Sequence, residues 1–411
     1  MRFSQGTFPT TTIINLLVFF VPAAAITIQH SIGVGTALLS LMGLFSLGFH
    51  KTVAPLDAME KRLLIAFGIF SAIALFSIFC SGDRLSLFDT PSRFALAVPV
   101  YLLLRRFPPS QGAFWFGTAV GAIGGGLITI HRQFILGLPF DDIGYIHHIR
   151  FGDISLVLGS IAATGLPYFR RFRWGYLVPI SALVFGIMGS ILSGARGGWP
   201  AIPILLYCLY RQNFNAFRTV PTKIRGAILL MGLLAAVLFF HGGGLERANA
   251  AISDLKQYQL GQRATSVGLR FELWKVAGQT FISHPILGGG KTGFISTTQE
   301  MASLKIIDKT TEDHDHAHND FLDTLAKRGL LGFVTLLIIF IVPLRQFIRT
   351  LQQGNEFQKP YGMAGLILTA CFSVFCLTET MFLLTLPTTF YVFTVMVLCA
   401  FIFQYKAPNT L

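Results

Sequence analysis

Residues 63–81 read LLIAFGIFSAIALFSIFCS, nineteen positions without a charge. As an α-helix rising 1.5 Å per residue, such a run is about 28 Å long, close to the roughly 30 Å hydrocarbon core of a bilayer. It has no alternation of the kind a half-buried strand shows and no face suited to water, so the pattern predicts a membrane helix. Further apolar runs are read near 12–29, 31–49, 93–104, 111–130, 152–169, 175–193, 198–210, 226–241, 329–344, 361–378 and 383–404, which makes about twelve spans. The expected fold class is therefore all-α, a polytopic membrane helical bundle.

Composition excludes the main alternatives. Of 411 residues, 53% are hydrophobic and 12% charged, about half the charged fraction of a soluble domain. Mean hydropathy is +0.63. The five cysteines all lie inside or at the end of apolar runs and form no C-x-x-C pair, so neither a disulfide framework nor a thiolate metal site is expected. Met1 to Thr10 carries one Arg, and the first apolar run continues into a multi-span pattern, so no cleavable signal peptide is expected.

The formal charge of +13 would suit nucleic acid, but its placement follows topology. With the N-terminus inside, seventeen of the 32 Lys and Arg fall in inner segments and five in short outer loops, as the positive-inside rule requires. The other ten fall in one long outer loop, where translocation is largely insensitive to charge. Nucleic acid is thus not an expected partner, and both termini are expected in the cytoplasm. Three regions follow: residues 1–241, a bundle of about nine spans; residues 242–328, a large outer loop; and residues 329–411, the C-terminal membrane helices. Within the loop, 246–260 and 266–283 read as helices. Val267, Phe271, Trp274 and Phe281 form a stripe on the second, which His284-Pro285 ends.

The densest polar stretch is Thr310 to Asp323, TTEDHDHAHNDFLD. A metal is the first chemistry it suggests, since alternating histidines on an extended segment point the same way. His316-x-His318-x-Asp320 imitates part of a binuclear hydrolase motif, but Phe321 stands where that motif wants a further His, and no His follows His318. No metal is therefore expected. A second reading makes one histidine a base, because a neutral imidazole takes a proton from a sugar hydroxyl near pH 7. His318 precedes an apolar segment, and the helix N-terminus there favours the neutral ring. A third reading leaves it a solvated histidine beside a helix cap at Asn319.

Arg196, in Ser-Gly-Ala-Arg-Gly-Gly between two apolar runs, and Arg270, in Val-Gly-Leu-Arg-Phe-Glu-Leu-Trp, are the cations best suited to grip a diphosphate. Each also has a structural reading as an arginine that snorkels or pairs with lipid phosphate. Gly288-Gly289-Gly290-Lys291-Thr292 imitates a phosphate-binding loop, but the spacing demands Gly where Pro285 stands. It is read as a turn.

The arrangement resembles the O-antigen ligase and polymerase superfamily. The likeness rests on the multi-span chain, one large late outer loop, and His316-Ala317-His318-Asn319-Asp320 ahead of Gly329-Leu330-Leu331-Gly332, and it is fullest from about 150 to 345. It implies a GT-C-like membrane glycosyltransferase of the bacterial inner membrane with a periplasmic active site. The glycan would pass from undecaprenyl diphosphate to an acceptor, in the ligase branch the lipid A core oligosaccharide, by an inverting, metal-independent transfer without cofactor. Position by position it implies His318 as general base and Arg196 and Arg270 as contacts to the donor diphosphate. Arg150, in His-His-Ile-Arg-Phe-Gly, is a weaker candidate for the donor.

Two rivals stay in the same superfamily. An O-antigen polymerase is expected to carry two sizeable outer loops, whereas the second one here, His131 to Phe151, is short. A protein O-oligosaccharyltransferase is expected to be longer at its C-terminus than a chain ending at Leu411. A lipid or glycan transporter would show internal repeats and ionisable groups at mid-membrane depth. No repeat is found, and Glu379 alone lies well inside a late apolar region.

Overall fold

The computed structural model describes residues 8–48, 55–138, 145–194, 196–219 and 244–405. The described residues contain no β-strand. The bundle begins with α1 (Phe8–Ala24), α2 (Ser31–Leu47), α3 (Ala58–Cys80), α4 (Asp89–Arg106) and α5 (Gln111–Ile130). It continues with α6 (His148–Thr164), α7 (Leu177–Leu192) and α8 (Ala201–Thr219). The outer-loop stretch supplies α9 (Gly244–Gln259), α10 (Ser266–Ser283) and α11 (Gly290–Ser303). Last come α12 (Asp320–Gln353), α13 (Lys359–Phe375) and α14 (Thr385–Gln404).

Among the described residues, five segments are long and apolar enough to cross a membrane: Ala58–Cys80, Leu85–Arg106, Gln111–Ile135, Asp320–Gln353 and Thr385–Gln404. The remaining sequence-read spans fall on shorter helices, except 226–241, which lies outside the described residues. Two helices are enclosed by the others. Every residue of α14 from Pro387 to Ile402 is buried, as is every residue of α6 from Phe151 to Thr164. A helix apolar all round belongs inside a bundle rather than on its rim, and α14 meets that description. Around them α6 packs on α7, α5 on α1 and α7, α14 on α4, and α12 on α3 and α13.

The starts of these helices follow local chemistry. Asp57 caps α3 by accepting from the Met59 and Glu60 amides, and Glu60 Oε2 accepts from the Asp57 amide in return, a reciprocal capping box. Glu60 is buried, and accepts from Tyr101 at 2.5 Å and from Arg105 Nε at 2.9 Å. α3 and α4 are thereby fastened at one end of the bundle.

The run read as a span over 329–344 is the later part of a longer helix. α12 opens nine residues earlier at Asp320, and Gly329 interrupts it with φ 62° and ψ −163°. The break frees the amides of Leu330 and Leu331, which donate to the carbonyls of Pro285 and Ile286 at 2.8 and 3.3 Å. A Cβ on Gly329 would collide with the Ile286 carbonyl, so only glycine allows this close approach. The turn at 285–289 thus inserts into the break in α12. Ser77 at the end of α3 holds it by donating to Leu287 O at 2.8 Å.

The outer helices have their own apolar cluster, made of Leu273, Val276, Ala277, Phe294, Met301, Ile307, Ala317 and Ala326. The stripe read on α10 needs correction in phase. Val267, Phe271, Trp274 and Phe281 are half-buried, and the fully buried side runs through Leu273, Val276, Ala277 and Thr280. At the polar centre of this unit Glu272, fully buried, accepts from Tyr258 at 2.7 Å and Lys275 at 2.8 Å and lies 3.5 Å from Arg263. Burial would raise its carboxyl, but those partners outweigh burial and hold it below the ordinary 4.5. A depressed carboxyl stabilises fully above its unfolded value and loses that contribution as pH falls through the folded one. Glu272→Gln is accordingly expected to lower stability by about 1.5–3 kcal/mol at pH 7. The difference from wild type should shrink below pH 4.5, as thermal unfolding in detergent at both pH values would measure.

Candidate functional site

The polar stretch ends against α12, and its backbone is fixed from three directions. Asn319 caps the helix, its side-chain oxygen accepting from the Phe321 and Leu322 amides at 3.0 and 3.1 Å. Asn319 Nδ2 donates to Leu377 O at 3.1 Å, the Asp320 amide to Cys376 O at 2.8 Å, and Asp320 Oδ2 accepts from the Phe382 amide at 3.0 Å. These bonds pin the start of α12 to the connection between α13 and α14. From the outer unit, Trp274 Nε1 donates to Ala317 O at 3.0 Å, while the Ala317 amide donates to Asp323 Oδ1 at 3.0 Å.

Between these fixed points His318 adopts φ 47°, a left-handed conformation uncommon for a residue with a Cβ. Its Nδ1 lies 3.4 Å from Oε1 of Glu379, a residue only 3% exposed. At that length and alignment the pair is a close polar contact rather than an aligned hydrogen bond. Burial would raise the Glu379 carboxyl, but His318, the Thr380 amide and His316 outweigh burial and hold it down to about 2. A carboxylate that stays ionised beside an imidazole favours the proton on Nδ1 and leaves Nε2 as the basic nitrogen.

The three histidine rings gather, but not on an extended segment as the sequence suggested: bends at His316 and His318 bring them together. The His316 and His318 rings are 4.2 Å apart and those of His314 and His318 6.4 Å. Burial, reinforced by the charges of His318 and His316, lowers the His314 pKa. His316 Nδ1 bonds Asp315 Oδ1 at 2.7 Å, and Lys291 Nζ reaches Asp315 Oδ2 at 2.5 Å. The hydrogen bond to His316, with Lys291, holds the Asp315 carboxyl well below the usual carboxylate range. Lys291 is positioned from across the fold, because Asp83 accepts from the Lys291 and Thr292 amides at 2.7 and 3.0 Å at the start of α11. The stretch read as a turn is one only in part, since Gly288 and Gly289 lead into α11 while Gly290, Lys291 and Thr292 open that helix. Asp320 does not join the histidines, since its carboxylate is committed to the Phe382 amide.

Arg270 sits one helical turn before Trp274, so the two share a face of α10. That face meets the His318 segment, because Trp274 bonds the carbonyl of Ala317. Arg270 is half-buried there. Arg196 opens a short 3₁₀ turn, Arg196–Gly198; its side chain lies outside the described part. The turn itself packs tightly: a Cβ on Gly197 would strike Thr378 Oγ1, and one on Gly198 would strike Asp153 Oδ1. Thr378 precedes Glu379, so the turn that opens at Arg196 packs, through Gly197, against the residue next to Glu379. Arg150 lies in the first turn of α6, half-buried, one turn before Asp153. Asp153 is fully buried, and neither of its oxygens has a hydrogen-bond partner.

Glu379 and Lys291 are the residues sequence reasoning left out of the site. Glu379 carried a signal, as an acid inside an apolar stretch seldom sits there without a partner. Lys291 was hidden in a stretch that imitates another motif and opens α11.

A family model described as O-antigen ligase matches residues 181–337. That interval contains Arg196, Arg270 and His318 and excludes Arg150 and Glu379. The chain is 31% identical over 362 residues to an uncharacterized protein of Haemophilus influenzae, an overlap covering 86% of this chain and 89% of that protein. It is 20% identical over 199 residues to an O-antigen ligase of Escherichia coli, covering 45% of this chain and 44% of that enzyme.

Proposed function

This chain belongs to the O-antigen ligase family, and on that premise we propose that it transfers O-antigen polysaccharide from undecaprenyl diphosphate to the lipid A core oligosaccharide. The observation that carries the reading is the His318–Glu379 contact at the capped start of α12, within reach of the face of α10 that bears Arg270. In the proposed step, His318 Nε2 takes the proton from the acceptor hydroxyl as its oxygen attacks the anomeric carbon. The bond from that carbon to the diphosphate oxygen breaks, and its electron pair leaves with the diphosphate. Attack from the opposite face inverts the anomeric configuration. Glu379 steadies the imidazolium that forms, an electrostatic role that requires the carboxylate to be ionised beforehand. Arg196 and Arg270 neutralise the leaving diphosphate with planar, two-pronged donors, and Arg150 is a further donor contact. No metal or nucleotide enters the step.

The reaction is placed at the periplasmic face of the bacterial inner membrane. Residues 1–241 and 329–411 supply the membrane bundle, and 242–328 the loop over the reacting ends. Reporter fusions at Ala302 and at the C-terminus are expected to report opposite compartments, and the same compartment for both would refute the topology.

Purified protein in lipid, supplied with undecaprenyl-linked glycan and lipid A core, is expected to yield a larger lipopolysaccharide without ATP. Growth of the glycan on its carrier would instead identify a polymerase, and glycan on protein a protein O-oligosaccharyltransferase.

A further inference from the structure

The histidines beside the proposed base are arranged in a way that proton transfer does not need. His316 keeps its Nδ1 on Asp315, which leaves Nε2 free on the side of Glu379, 4.0 Å from Oε1. His318 Nδ1 approaches the same oxygen to 3.4 Å. One donor atom from each of His316, His318 and Glu379 lies within 4.8 Å of the other two. Two imidazoles and a carboxylate form a donor set that zinc accepts with a fourth position open, at bond lengths of about 2.0–2.2 Å that place donors about 3.3 Å apart. Small side-chain rotations close that difference. Asp315 on the far nitrogen of His316 supplies the carboxylate support typical of a metal-bound imidazole. Lys291 offsets one of the two carboxylates and leaves the other for the cation.

We propose that His316, His318 and Glu379 form a zinc-type divalent cation site, and that its occupation inhibits transfer. A neutral imidazole has one lone pair on nitrogen. Once the metal takes it, the other ring nitrogen carries the proton and His318 accepts none from the acceptor. The inhibition rests on the proposed role of His318 as base, whereas the binding does not. His316, which has no part in the transfer step, is what the site adds.

The test uses the full chain in lipid nanodiscs, stripped with EDTA and titrated with Zn²⁺ by calorimetry, with transfer measured in parallel. Stripped protein is expected to be active, to bind one equivalent of Zn²⁺, and to lose transfer as it binds. His316→Ala is expected to keep basal transfer while binding Zn²⁺ at least about tenfold more weakly, with a matching rise in the concentration that inhibits. Asp315→Asn, which leaves all three ligands in place, should weaken binding about 10–100-fold and guards against a folding defect in His316→Ala. Absence of Zn²⁺ binding, or equal affinity in wild type and both variants, would overturn the site. Loss of transfer on stripping with recovery on adding Zn²⁺ would overturn the inhibition and the metal-free mechanism together. Zn²⁺ binding that depends on His316 in a protein without transfer under any condition would uphold the site and reject the proposed function.

Discussion

His318→Ala is expected to lower transfer about 10²–10⁴-fold, the usual contribution of a general base, while the lipid-linked donor still binds. The separation of effects follows from geometry. In the proposed step His318 acts on the acceptor proton, and it lies 3.4 Å from Glu379, so its removal is expected to leave the diphosphate contacts untouched. Glu379→Gln keeps the shape and the bond to the Thr380 amide but removes the charge facing the imidazolium, and should give a smaller loss than His318→Ala. His316→Ala is the control. Its ring lies 4.2 Å from that of His318, so a general disturbance of the loop would affect both variants alike. Transfer yield and donor affinity are measured for each in membranes, with expression checked. Full activity in His318→Ala, or a heavier defect in His316→Ala, would show that the base is elsewhere.

Arg270→Ala and Arg196→Ala are expected to behave differently, weakening donor binding as well as turnover. A hydrogen bond to a charged group contributes about 1.5–3 kcal/mol, which corresponds to a loss of donor affinity of about 10- to 100-fold for each arginine. Lysine should restore only part of it, since an ammonium supplies charge without the two-pronged geometry. The helix bearing Arg270 is held by Trp274 on Ala317 and by Glu272 on Tyr258 and Lys275. The alanine variant should therefore fold, which a thermal melt checks. Donor affinity unchanged in both variants would remove the arginines from the diphosphate site.

The longest apolar helices were legible in the chain because an uncharged run of the length of 63–81 has few other stable settings. The capped helix start after His318 was equally legible, since Asn319 and the apolar residues after it act on their own backbone neighbours. The phase of α10 was not. Its apolar residues cover more than one face, and which of them is fully buried depends on where α12 and α11 lie, so Leu273 and Val276 went inside while Phe271 and Trp274 stayed half-buried. Gly329 was legible as part of the Gly-Leu-Leu-Gly stretch that follows the histidine motif in the resemblance, yet not as a break, because the break is satisfied by carbonyls from Pro285 and Ile286, more than forty positions earlier. Glu379 was visible as an acid in apolar surroundings, but its partner His318 lies 61 positions away, and only the pinning of Asn319 and Asp320 to the α13–α14 connection brings the two together. Periodicity, capping and hydropathy are short-range and act wherever their residues occur. A contact such as that between His318 and Glu379 requires two distant backbones to be held at one depth, and the packing of the whole bundle decides that.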